Sequence, residues 1–222
     1  MAASRAAAPP TDAAPACRSL NSDVDPSLMS EENAERIVVG IAALLEFMME
    51  DHARVGDSPP AVLGVFECAN GGARPTVGNI RAFLGDMARL CRYTLECNVV
   101  ALILLIRFFS CQPNLRLSPN TWRRYLLCAI MVAQKFWDDR CLRNIDLTVA
   151  WRCVLPDAGA LPLRDVNLME CHFLAGLGYD LYIQPAKYGA CLCEVLSIVV
   201  DDASPLPRAD PLGEPPPPSR CP

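Results

Sequence analysis

Only two histidines occur in the 222-residue chain, His52 and His172, and its twelve cysteines include no Cys-x-x-Cys pair. Cys191 and Cys193 stand together with no histidine nearby. A tetrahedral metal site needs ligands at framework spacing, so no metal is expected. Basic runs are also missing, and the formal net charge is −5. Nucleic-acid binding through phosphate contacts is therefore not expected. The longest apolar stretch, Asn98 to Ile106, meets Arg107 well short of the roughly 20 residues a membrane helix needs. The N-terminus is Ala- and Pro-rich without an apolar signal region, and residue 2 is Ala2 rather than Gly. Neither a secretory leader nor an N-myristoyl anchor is expected, which puts the chain inside the cell, cytoplasmic or nuclear. There the cysteines are reduced thiols behaving as small hydrophobes. The chain has no Gly-rich phosphate loop. Cys171 and His172 are adjacent on a helical stretch, so their side chains diverge and cannot pair as nucleophile and base. No catalytic residue and no cofactor are expected.

What is present is apolar surface at helical spacing. Hydrophobic residues make up 52 % of the chain, with a mean hydropathy of +0.20. That richness implies helices buried on more than one side. Residues 1–29 hold few large apolar groups and are expected to be disordered. Ser30 can cap a helix that carries Ile37, Ile41, Leu44, Leu45 and Met48 on one face and ends near Asp51. A Gly/Pro-marked loop follows, in which Val62 to Phe66 is apolar enough to dock. Helices are expected from about Val77 to Arg92, from Leu95 to Ser110 with Thr94 as cap, and near Asn144 to Cys153. Others run from Leu163 to about Gly178 and from Pro185 to about Val200. The second of these is apolar almost all round, as a central enclosed helix would be. The Pro-rich tail is read as a solvated terminus rather than a peptide ligand. The reading is all-α, with no second domain.

The densest signal is the block Asn120 to Asp139. Trp122, Tyr125, Leu126, Ala129, Val132, Ala133 and Phe136 recur on one helical face. Ser118 and Pro119 precede it as expected cap and first-turn residue. Lys135 ends a helix otherwise almost uncharged after its first turn, beside Phe136 and Trp137. Such a charge either points to solvent or waits for a partner.

This block resembles the third helix of a cyclin box, which ends in Ala-Ser-Lys-Phe or a close variant. Its Asn-Thr-Trp-Arg-Arg start and Trp-Asp-Asp end are similar to the cyclin Y and phosphate-pathway (Pho-type) branch. Three further segments carry the resemblance in order: Ile80 to Leu84, Glu96 to Phe108, and Leu163 to Leu181. The resemblance implies a single five-helix cyclin box over 79–183, with an additional N-terminal helix and loop over 30–78. A C-terminal helix over 184–200 and a disordered tail over 201–222 complete it.

The resemblance also implies a role. Lys135 and Glu170 would face a cyclin-dependent protein kinase, of the class paired with cyclin Y or Pho-type cyclins. Val132, Phe136, Leu174, Leu177, Tyr179 and Leu181 would form an apolar groove beside them. The chain would hold the αC helix of the kinase inward and perform no chemistry itself. The plainer reading makes Lys135 a solvated helix-end lysine and the groove residues ordinary core. A box that scaffolds some non-kinase partner is the alternative function. A second candidate surface is the docking patch of classical cyclins, here Ile80, Phe83, Leu84 and Met87. It departs from the classical pattern: Met87 replaces a Trp, Leu90 an acidic residue, and Arg123 a Gln that basic motifs would prefer.

Overall fold

The computed structural model describes residues 26–54, 61–68, 73–140 and 142–198. Residues 1–25 of the expected N-terminal tail and all of the expected C-terminal tail, 201–222, lie outside these residues. Pro26–Met29 form a 3-10 turn, and Leu28 and Met29 pack on the core. The described residues thus include the last four of the tail expected over 1–29. Among the described residues every regular element is helical.

Seven α-helices follow one another: α1 Glu31–Arg54, α2 Val77–Cys91, α3 Leu95–Cys111, α4 Trp122–Trp137, α5 Asn144–Val154, α6 Leu163–Gly176 and α7 Pro185–Ser197. Helices α2 to α6 are the five of the expected box, and α1 and α7 are the additional two. Glu31 and Glu32 sit in the first turn of α1, where the backbone dipole favours acids. A reciprocal cap starts α2: Asn79 donates its backbone N–H to the Thr76 hydroxyl, and Thr76 donates its own to Asn79 Oδ1.

Helix α3 is the centre. Ten of its residues are buried, among them Val99, Val100, Leu104, Leu105 and Phe108, and α4, α6, α1 and α7 pack around it. Two glycines permit close crossings. A Cβ at Gly40 of α1 would overlap the Val195 carbonyl oxygen of α7, and one at Gly176 of α6 would overlap the Phe108 ring. Arg36 of α1 also donates to the Leu196 carbonyl at 2.8 Å, satisfying an orphan acceptor at the end of α7. The segment Ala61–Phe66 docks as expected: Phe66 stacks on Tyr125 at 4.0 Å, and Arg124 donates to the Val65 carbonyl at 2.7 Å.

Two caps differ from expectation. Ser118 and Pro119 lie in a turn ahead of α4, and Thr121 is its N-cap. Ser118 exchanges a hydrogen bond with the Thr121 hydroxyl at 3.0 Å instead. Thr94 does stand at the N-cap of α3, but its hydroxyl donates away from the helix, to Asp138 at 2.7 Å.

Candidate partner-binding site

The last turn of α4 explains how two of its side chains come to face outward. Gln134 is buried, and its Nε2 reaches the Arg140 carbonyl at 3.5 Å. Trp137 stacks on Tyr188 of α7 at 5.7 Å and 11°. Asp138 accepts from both the Thr94 hydroxyl and the Thr94 backbone N–H. With positions 134, 137 and 138 anchored inward, Lys135 and Phe136 are left on the surface, and Phe136 is 43 % exposed.

Lys135 has found a partner. Its Nζ lies 2.6 Å from Glu170 Oε1 on α6 and 2.6 Å from Asn144 Oδ1 at the start of α5. Asn144 Nδ2 donates onward to Glu170 Oε2 at 2.7 Å and to Asn167 Oδ1 at 2.8 Å. The charged side chains are 30 % and 20 % exposed, so the pair is half shielded yet reachable. Beneath it lies the Cys128 thiol, fully buried. Burial first, and the Glu170 charge second, push its pKa up, so a neutral thiol floors the site.

On the groove, the six expected residues divide. Phe136 and Tyr179 are exposed, and Leu174 and Leu181 are half-buried. Val132 and Leu177 are buried, at 2 % and 5 % exposure, and belong to the core rather than to a surface. Tyr179 is presented by the turn that ends α6. Gly178 and Tyr179 both adopt left-handed backbone, φ 61° each, and Tyr179 donates its N–H back to the Leu174 carbonyl at 2.9 Å. Arg107 of α3 then clamps the outgoing chain, donating to the Asp180 carbonyl at 2.8 Å and the Tyr182 carbonyl at 2.9 Å. Tyr182 adds a further exposed ring.

The residues of the expected docking patch lie among packed helices. Ile80, Phe83, Leu84 and Met87 are all buried, none more than 3 % exposed. Phe83 meets Trp122 of α4 edge-on at 5.4 Å and Trp151 of α5 at 6.5 Å. Helices α1 and α5 both pack on α2, the helix that carries the stripe.

Sequence reasoning missed Asn144, Asn167 and Arg107. No apolar periodicity marks a polar bridge, and Arg107 read only as the end of an apolar run and as part of the segment Glu96 to Phe108. Among the described residues no group of three or more His, Cys, Asp and Glu could hold a metal ion, and no helix is long and apolar enough to cross a membrane.

Comparison with known proteins adds a family. The family model described as Cyclin matches residues 3–181. Cyclin-U4-1 of Arabidopsis thaliana is 29 % identical over 192 residues, covering 81 % of this chain and 86 % of its own. Cyclin-P4-1 of Oryza sativa subsp. japonica is 29 % identical over 171 residues, 74 % of each chain. Cyclin-U4-3 of Arabidopsis thaliana is 23 % identical over 176 residues, covering 78 % of this chain and 72 % of its own.

Proposed function

The chain belongs to the cyclin family, and from that premise we propose that it is the regulatory subunit of a cyclin-dependent protein kinase, itself without catalytic activity. It would act by seating the kinase's αC helix, the element whose position completes the lysine–glutamate pair of the kinase active site. The observation that carries this reading is the surface between the end of α4 and the middle of α6. A half-shielded Lys135–Glu170 pair stands next to Phe136, a large apolar residue left exposed among the described residues. An ion pair of this kind can bond to backbone groups of a partner helix, while the aromatic ring fills an apolar pocket. The likeness to a P-type cyclin supports the phosphate-pathway branch as the nearer kin, and with it the kinases of that class.

The test uses the full chain and a panel of purified cyclin-dependent kinases. One of them should bind it and gain phosphotransfer activity. Phe136→Asp should abolish both, because it places an unpaired charge against the apolar partner surface. The variant must keep the helical circular dichroism of the unaltered chain. Activation by Phe136→Asp at the unaltered level would move the interface elsewhere. If no kinase in the panel binds, the alternative, a box that scaffolds a different partner, takes precedence.

A further inference from the structure

We propose that Asn144 is a third member of the partner-binding site, a positioning residue that locks Lys135 and Glu170 into one geometry for presentation. The inference rests on the function proposed above. It starts from hydrogen-bond arithmetic. Lys135 can only donate and the Glu170 carboxylate can only accept. A side chain that touches both must therefore offer an acceptor to one and a donor to the other. The Asn144 amide does so: Oδ1 accepts from Lys135 at 2.6 Å, and Nδ2 donates to Glu170 Oε2 at 2.7 Å. With the direct Lys135–Glu170 contact at 2.6 Å, the three side chains close a ring. The second Nδ2 hydrogen goes to Asn167 Oδ1 at 2.8 Å, which leaves the amide only one orientation.

The ring joins three helices: the end of α4, the start of α5 and the middle of α6. It occupies two of the three ammonium hydrogens and one lone pair on each carboxylate oxygen. One Lys135 donor and the outer lone pairs of Glu170 stay available to a partner. Two long side chains that would otherwise lose rotamer freedom on binding are ordered beforehand, which lowers the cost of association.

Three variants separate positioning from space-filling. Asn144→Asp preserves the shape and the acceptor for Lys135, but replaces the donor with a second carboxylate against Glu170. At the first position of α5 an acid also suits the helix dipole, so folding should not suffer. A residue that merely fills space would tolerate this change. A positioning residue would not, and Asn144→Asp should weaken binding to the panel kinase more than Asn144→Ala does. Asn144→Ala should cost about tenfold in affinity, the worth of charge-assisted hydrogen bonds. In a Glu170→Ala background the same Ala change should cost no more than about twofold, because the ring is already open. Separately, the Asn144 side-chain amide should be protected from exchange by NMR in the unaltered chain, and Lys135→Ala and Glu170→Ala should each release it.

If Lys135→Ala and Glu170→Ala bind the kinase like the unaltered chain, the proposed function has the wrong site. If both lose binding while Asn144→Asp keeps it, this inference alone falls. Should no kinase bind, the amide exchange decides: an unprotected Asn144 amide overturns the ring.

Discussion

Asp138, the residue after α4, accepts from the Thr94 hydroxyl at 2.7 Å and from the Thr94 backbone N–H at 3.2 Å. One carboxylate thereby ties the exit of α4 to the entrance of α3, and holds the turn on which Lys135 and Phe136 stand.

Asp138→Ala should therefore loosen that turn. Both bonds lie near the surface, so the expected loss is about 1 kcal/mol, read as a fall of about 2–4 °C in melting temperature. Thr94→Val should cost less, since it spares the backbone N–H. The two changes together should cost less than their sum. Full additivity in thermal melts would show that the contact does not hold the two helices.

Glycines should split by environment. Gly40→Ala drives a methyl into the Val195 carbonyl and should destabilise by about 1–3 kcal/mol, because a backbone atom cannot swing aside. Gly85 is in α2 with open space around it, and Gly85→Ala should stabilise by about 0.5–1 kcal/mol through backbone entropy alone. Urea denaturation of the two variants checks both signs.

His52 introduces a pH dependence. Its Nδ1 accepts the Leu117 backbone N–H at 2.8 Å, so this nitrogen must stay unprotonated. Burial first, and the nearby Arg116 charge second, lower its pKa from the usual 6.5. The folded state thus binds its proton at lower pH than the unfolded state. This contribution to stability is present above about pH 6.5 and is lost as the pH falls through the depressed folded value. Melting temperature should decline over that window, and His52→Gln should flatten the decline. Parallel slopes for the two proteins would assign the effect to other groups.

Helix α1 should be indispensable. Ile37, Ile41, Leu45 and Met49 are at most 3 % exposed, and their burial is worth on the order of 6–12 kcal/mol gross, before ordering entropy is subtracted. A chain starting at residue 26 should melt cooperatively. One starting at residue 54 should aggregate or lose its sharp transition. Equal melting of the two would show that α1 does not belong to the fold.

The helices themselves were legible in the sequence. Apolar spacing located all seven to within a few residues, and the near-total apolarity of the Leu95–Cys111 stretch marked it as central before any packing was known. Lys135 and Glu170 were singled out because their neighbours resemble a family motif, not because spacing alone joins residues 35 apart. The docking stripe shows where such reading stops. Ile80, Phe83, Leu84 and Met87 have the right period for an apolar face, but a period does not say whether solvent, a peptide or two tryptophans will cover it.

What the amino-acid order determined by itself was local: which stretches can be helical, which face of each must be hidden, and that the apolar run Asn98 to Ile106 is shorter than a membrane helix. Tertiary structure alone decided what closes over those faces and which polar groups meet. Asn144 meets Glu170 across 26 residues, Thr94 meets Asp138 across 44, and Arg107 reaches the chain beyond α6 across 73. Hydrophobic burial recurs along a helix and so leaves a periodic trace. A hydrogen bond between distant residues is a single event set by how the helices cross, and nothing in the neighbouring sequence records it.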